Sequence, residues 1–301
     1  MNDYIIRGMA AGNEIRFVAA YTKGVVEWAR DFHDTSPVCT AALGRLLTGG
    51  ALMGAMCKND TDVLTLKIQG NGPCGSITVT ADAMANVKGL IGNPHVDLPL
   101  KSNGHLDVGG AVGRGFLTVI RDDGAPEPYV GQTALASGEI GEDLTYYFAE
   151  SEQIPTSVGV GVLVDKDRTV KHAGGFIIQL LPFASEETVS KLEKSLAEFT
   201  SVTDAYSRGL SVEDMIRELV GEKVFGIDIN IENPLETAYK CNCSRERVTK
   251  ALIALGRGEL TSMINDGKPV NLHCDFCNSD YEFTVEELEV LLAESSKRYT
   301  Q

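Results

Sequence analysis

At 301 residues the chain has the length for about two domains and for a substantial core. Apolar residues make up 43% and charged residues 23%, an ordinary globular balance, while a net charge of −15 opposes binding to a phosphate backbone and favours solubility. The start, Met1-Asn2-Asp3-Tyr4, lacks a basic n-region and a long apolar run, and Arg45 interrupts the most apolar stretch, around residues 41–56. The expectation is a cytoplasmic protein with neither a nucleic-acid nor a membrane partner. In that compartment cysteines stay reduced unless they are catalytic, redox-sensing or metal-bound. Seven of them, an odd number, fit poorly with a disulfide framework.

In chain order, Tyr4–Gly8 and Ile15–Tyr21 read as strands. Val25, Trp28, Ala29 and Phe32 have the spacing of one helix face. Ser36-Pro37 reads as an N-cap followed by proline at the first helical position, opening a helix through Leu43, Leu46, Leu47, Leu52 and Met56. Asp62–Gln69 and Ser76–Thr80 are strands around a Gly/Pro turn, followed by strands at Gly115–Ile120, Tyr129–Ala134, Ser157–Val164 and Gly174–Leu180. Glu142–Ala149 reads as helix. Strands mixed with helices, without regular βαβ alternation, predict an α+β fold. After Pro182 the strand pattern stops. Val189, Leu192, Leu196 and Phe199 form one helical stripe, and Val212, Met215, Ile216, Leu219 and Val220 another behind Ser211 as N-cap. Beyond Pro234 a short helix carries Val248, Ala251, Leu252 and Leu255, a hairpin joins Val270–His273 to Tyr281–Phe283, and Thr284 with Glu287 forms a capping box for a last helix through Val285, Leu288 and Leu292. The domains expected are residues 1–182, β-rich with packed helices; 183–234, a helical linker; and 235–301, a small metal-binding unit.

Four cysteines carry the chemistry: Cys241-Asn242-Cys243 and Cys274-Asp275-Phe276-Cys277. Tetrahedral zinc takes four thiolates, and the second pair has the C-x-x-C spacing of a zinc knuckle. In the first pair only one residue separates the thiols. Positions i and i+2 of an extended strand share a face, so both sulfurs can still reach one metal. One Zn²⁺ on Cys241, Cys243, Cys274 and Cys277 is the expectation. It would also staple a unit of about sixty residues, too small for more than a marginal core. On the residues alone a plain structural staple is the favoured reading; a redox switch is the alternative, because without metal each pair is close enough to oxidise. His273 is a competing ligand that four cysteines make unnecessary.

Other motifs have plainer readings. Gly70-Asn71-Gly72-Pro73-Cys74-Gly75 matches G-x-G-x-x-G, but a strand follows it where the dinucleotide fingerprint needs a helix, so a hairpin turn is expected. Gly49-Gly50 and Gly109-Gly110 lack the Gly-Lys-Ser/Thr of a phosphate loop. Cys39, Cys57 and Cys74 are scattered, and Cys57 in an apolar helix reads as a small buried hydrophobe. Between Cys241 and Phe283 five basic residues face six acidic ones, which gives a zinc-ribbon nucleic-acid module no basic surface. A thiol-disulfide oxidoreductase using Cys274 and Cys277 needs its C-x-x-C at a helix N-terminus in a βαβ context, which is not evident.

The cysteine unit reads Cys-Asn-Cys-Ser-Arg-Glu-Arg-Val, then, with thirty residues between Cys243 and Cys274, Cys-Asp-Phe-Cys-Asn with Tyr281 and Phe283. This closely resembles the zinc domain of the bacterial 33-kDa redox-regulated heat-shock chaperone family. Upstream, Gly113-Arg114-Gly115-Phe116-Leu117-Thr118-Val119, the stretch Tyr147–Thr156 and Gly174-Gly175-Phe176-Ile177-Ile178-Gln179-Leu180-Leu181-Pro182 resemble segments of the same family, in the same order and over nearly the whole chain. The resemblance implies an ATP-independent holdase, not an enzyme, that is silent when reduced and zinc-bound. It implies disulfides Cys241–Cys243 and Cys274–Cys277 on oxidation, release of zinc, capture of unfolding client proteins and an active homodimer. The two linker stripes, Val189, Leu192, Leu196, Phe199 and Val212, Met215, Ile216, Leu219, are then the candidate client-binding residues, because apolar stripes that lose their cover become sticky.

Overall fold

The computed structural model describes residues 2–298. The chain falls into two compact units that divide between Lys240 and Cys241. The first contains, in order, β1 (Tyr4–Ala10), β2 (Ile15–Tyr21), α1 (Lys23–His33), α2 (Pro37–Gly54), β3 (Val63–Gly70), β4 (Ser76–Asp82), β5 (Val87–Ile91), α3 (Val108–Val112), β6 (Gly115–Asp122), β7 (Tyr129–Ala134), α4 (Gly141–Tyr147), β8 (Thr156–Val164) and β9 (Val170–Leu180). It continues with α5 (Glu186–Glu198), α6 (Val202–Ser207), α7 (Val212–Val220), α8 (Glu222–Phe225), β10 (Asn230–Ile231) and β11 (Leu235–Glu236). The mixed helix and sheet content is the α+β class expected. A five-stranded sheet has the order β5-β4-β3-β6-β7; a six-stranded sheet has β1-β2-β9-β8, with β10 and β11 both on the outer edge of β1. Ladder pairs in both sheets are antiparallel.

The helix α2 packs against strands of both sheets. Every residue from Val38 to Gly54 except Arg45 is buried, so the helix is apolar all round, as a central element must be. Its glycines are a packing device: a Cβ on Gly50 would sit 2.7 Å from Val79 Cγ1, and one on Gly54 would sit 2.6 Å from the Asp82 carbonyl oxygen. Arg45 escapes burial of an unpaired charge by binding Glu139 at 2.7 Å, and Lys101 shares that carboxylate. Proline opens α2 as predicted, but the Ser36 hydroxyl does not cap it; it donates to the Val96 carbonyl at 2.6 Å.

The strands of the six-stranded sheet are apolar on both faces, and both faces are covered. Ile5, Val18, Ala20 and Ile177 join the core around α2. The alternate residues Ile6, Ile15, Phe17, Phe176 and Ile178 face a second core. That core is closed by Leu192, Val202, Tyr206, Val212, Met215, Ile216, Leu219 and Val220. Both linker stripes therefore lie on the first unit. The α7 stripe is fully buried; in the α5 stripe Leu192 is buried, while Val189, Leu196 and Phe199 are half-buried. Ser211 caps α7 in a capping box with Asp214, and Ser195 Oγ donates to the Leu219 carbonyl at 2.8 Å, tying α5 to α7. Tyr4 Oη donates to Glu213 at 2.9 Å and Tyr206 Oη to the Ala20 carbonyl at 2.7 Å, tying the helices to the sheet.

Some expectations are corrected. Trp28 is 58% exposed rather than part of the buried face of α1, because Val25, Val26 and Ala29 fill that face; its ring lies against Phe32, and Phe32 against Tyr239. The helix over Glu142–Ala149 gives way after Tyr147 to a wider π turn through Glu152. The Gly70–Gly75 run is the β3–β4 hairpin turn, with Gln69 paired to Ser76. A Cβ on Gly70 would meet the Val112 carbonyl oxygen at 1.9 Å, so packing, not phosphate, requires that glycine.

The second unit contains α9 (Arg245–Ala254), α10 (Arg257–Asn265), β12 (Val270–Cys274), β13 (Ser279–Phe283) and α11 (Val285–Arg298). Thr284 and Glu287 form the capping box expected for α11. Among the described residues the buried apolar core is Leu252, Leu260, Phe283, Leu288 and Leu291.

Candidate metal centre

Cys241 and Cys243 lie in irregular chain just ahead of α9, not in a strand. Ser244 caps that helix by accepting from the Arg247 amide at 3.3 Å, which holds Cys243 at the helix entrance. Cys274 ends β12, and Cys277 sits in the tight turn to β13. The Asn278 amide donates to the Cys274 carbonyl at 2.8 Å, with Asn278 in the left-handed region that such a turn needs and that asparagine tolerates. Arg245 fastens the two halves: it stacks 4.3 Å over the Phe283 ring, donates to the Glu282 carbonyl at 2.9 Å and pairs with Glu287 at 2.6 Å.

The two motifs thus converge. The four sulfurs lie within 4.8 Å of one another, and among the described residues this is the one cluster with metal-binding character. Cys241 Sγ is 3.8 Å from Cys274 Sγ, and Cys243 Sγ is 3.2 Å from Cys277 Sγ. Ligands at the Zn–S distance of about 2.3 Å in a tetrahedron stand about 3.8 Å apart, so this donor set fits zinc in type, number and spacing. His273 stays out of the cluster; its Nδ1 faces the Asp280 carboxylate at 2.8 Å, which raises the imidazole pKa.

Two hydroxyls reach the sulfurs. Tyr281 Oη donates to Cys243 Sγ at 3.1 Å, and Ser279 Oγ is 3.2 Å from Cys277 Sγ. Burial pushes Cys277 up, but the hydrogen bonds from Ser279 and Cys243 outweigh it and bring the thiol down to about 7. Burial raises Cys274. Ser279 was not singled out from sequence, although its alternation with Tyr281 and Phe283 places all three on one face of β13. The other cysteines are placed differently. Cys39 and Cys74 are buried in the first unit and Cys57 is half-buried; burial pushes Cys74 to about 11 and raises Cys57, so both remain protonated thiols at neutral pH. Cys274 and Cys277 lie in a hairpin turn rather than at a helix N-terminus, which removes the geometry of a C-x-x-C oxidoreductase.

Comparison with known proteins agrees over almost the full length. The model of the Hsp33 protein family matches residues 3–284. A 33 kDa chaperonin of Lachnoclostridium phytofermentans is 55% identical over 98% of this chain and 100% of its own. One from Agathobacter rectalis is 55% identical over 96% of this chain and 99% of its own. The crystal structure of a Thermotoga maritima protein described as a 33 kDa chaperonin and Hsp33 homologue superposes with a TM-score of 0.87 at 38% identity, covering 99% of this chain and 100% of that one. A fold shared to this degree, a family match across both units and identities above half the aligned positions place the chain in the Hsp33 family.

Proposed function

We propose that this protein is a redox-regulated, ATP-independent chaperone that captures unfolding proteins after its cysteine centre is oxidised. The observation that carries the reading is the convergence of Cys241, Cys243, Cys274 and Cys277, in a chain whose relatives are named 33 kDa chaperonins. One Zn²⁺ held by these four residues would keep them as thiolates and cross-link the entrance of α9 to the β12–β13 turn. Oxidation would form Cys241–Cys243 and Cys274–Cys277. Each pair of thiolates would give up two electrons to one hydrogen peroxide, which takes two protons from solvent and leaves as two waters, and the metal, its four ligands gone, would be released. Sulfurs of different motifs stand 3.8 and 3.2 Å apart and all four lie within 4.8 Å, whereas a disulfide needs about 2.05 Å, so bond formation draws the sulfurs together.

A unit whose described core is five side chains does not outlast the loss of its cross-link. In this reading the loosening spreads to the linker, and the stripes Val189, Leu192, Leu196, Phe199 and Val212, Met215, Ile216, Leu219 become available to clients. The active form is a cytoplasmic homodimer, and it uses neither nucleotide nor catalytic nucleophile, membrane nor nucleic acid. The test is light scattering of an aggregating client at several chaperone ratios, comparing reduced, zinc-loaded protein with protein treated with peroxide at elevated temperature. Suppression that is stoichiometric, confined to the oxidised form and reversed by reductant with zinc is the expected result. Equal suppression by the reduced protein defeats the switch, and catalytic disulfide turnover in place of capture defeats the holdase.

A further inference from the structure

The segment that leads into the cysteine unit closes an edge of each large sheet. On β1 it runs antiparallel, with Met9 opposite Asn230, Gly8 opposite Ile231, Ile5 opposite Leu235 and Tyr4 opposite Glu236. The Glu232 amide donates to the Arg7 carbonyl at 2.8 Å, and the Thr237 amide to the Asp3 carbonyl at 3.3 Å. The same segment then reaches β5, the outer strand of the five-stranded sheet. There Val87 is paired in parallel with Tyr239: its amide donates to the Ala238 carbonyl at 3.0 Å and its carbonyl accepts from the Lys240 amide at 2.8 Å. Thr237 Oγ1 and Tyr239 Oη add bonds to the Ala85 and Gly89 carbonyls.

Backbone bonds dominate this grip. From residue 230 to 240 only Thr237 is fully buried, and most of the other side chains point to solvent. Close approach is built in at Gly8, where a Cβ would lie 1.9 Å from the Asn230 carbonyl oxygen. Two half-buried apolar side chains fill positions along the β1 edge: Leu235 against the α2 core and Ile231 against the linker core. An edge strand stripped of its partner presents a row of unpaired N–H and C=O groups, a template that accepts extended chain whatever its sequence.

We propose that residues 230–240 occupy in cis the sites that extended segments of unfolded polypeptide take in the active protein, by strand addition to the edges of β1 and β5. The ligand class is an extended backbone, with a preference for apolar residues at the positions of Ile231 and Leu235. The trigger rests on the redox reading above; the edges themselves do not. Such recognition explains how one site serves many clients, because main-chain bonds supply the affinity and only two side-chain positions select.

The test uses the full chain. Glu232→Pro/Thr237→Pro removes two backbone donors of residues 230–240 and leaves the four cysteines untouched; Ile231→Asp/Leu235→Asp removes the two apolar anchors of the same segment and leaves both strand edges unaltered. Each variant, reduced, zinc-loaded and checked by zinc content and circular dichroism, is titrated by fluorescence anisotropy with a labelled Val/Thr-rich peptide. A second titration uses the same peptide N-methylated at alternate residues, which keeps its apolarity and loses one row of donors. Peroxide-treated wild type is titrated with both peptides. The expected result is binding by both variants without oxidation, roughly tenfold weaker for the methylated peptide, with added amide-exchange protection in β1 and β5. Equal affinity for the two peptides overturns strand addition, in the variants or in oxidised wild type. Oxidised wild type that binds neither peptide, beside variants that discriminate between them, removes the redox trigger and leaves the edges standing.

Discussion

The first unit surrounds one apolar helix with two sheets and lays a second layer of helices on the far face of one of them. The second unit brings four sulfurs together over a described core of Leu252, Leu260, Phe283, Leu288 and Leu291. The contrast separates two ways of making a fold stable. Burial is spread over many side chains, so its loss is gradual and local. A metal cross-link concentrates the same work in four atoms, so it is lost at once and by chemistry. Under the redox switch proposed above, keeping the two apart in sequence would let the scaffold outlast the oxidised centre.

Removing the metal is the strongest way to break the comparison. Apparent zinc binding by small cysteine units is roughly 10–16 kcal/mol, more than a domain of this size holds from burial. Chelation with oxidation is therefore expected to bring amide exchange across residues 241–298 close to the unfolded rate, while Ser157–Val164 in β8 keeps its protection. Uniform protection in both units would erase the distinction. Next in size, Cys241→Ser/Cys274→Ser is expected to drop bound zinc from one per chain to near none, read by metal analysis; full retention would remove the assignment of the ligands.

Core truncations sharpen the contrast within the first unit. Leu47→Ala in α2, at 0% exposure, is expected to cost about 2–5 kcal/mol and to lower the melting of the whole unit. Ile216→Ala in α7 creates a similar cavity under the linker helices. Its exchange signature should concentrate in α5–α8 and spare β3, β4 and β6; equal spread in the two variants would mean that the linker layer has no independence.

The smallest effect is a pH dependence. Burial, with the hydrogen bond to Glu213, raises the Tyr4 phenol from 10 to about 12. The folded state holds the neutral phenol more tightly than the unfolded chain does. That contribution is complete below pH 10 and is lost as pH rises toward 12. Wild type minus Tyr4→Phe, measured by denaturant unfolding, should shrink across that window; a difference independent of pH would sever the link between this bond and the seating of α7.

Much of this architecture was legible because periodicity reports burial. Alternation and length gave β2, β7 and the capping residues Ser211 and Thr284. The four cysteines are marked by residue type and spacing alone. The strand β5 has only Val87, Leu90 and Ile91 to mark it, and the Val-Gly-Gly-Ala-Val of α3 is a poor helix by propensity, held by Asp107 accepting from the Gly110 amide, so neither element is legible in the sequence pattern. The helix α10 went unseen behind Gly256, which reads as a stop yet serves as the N-cap of the next element. Trp28 shows the reverse failure: a helix face read by spacing includes a residue left on its rim. The segment 230–240 has no signal of its own, since a partner reached through main-chain bonds leaves little trace in side-chain pattern.

The placement of α2 has a consequence for cooperativity. Because one helix supplies the inner wall for both sheets, neither sheet has a private core that could survive the other's melting. The two sheets share one fate, and together with α2 they should cross their thermal transition as a single calorimetric event. The linker layer packs on the far face of the six-stranded sheet and makes no part of that wall. It can leave while the shared wall stands, so the molecule can uncover a large apolar surface and still have a folded body from which to present it.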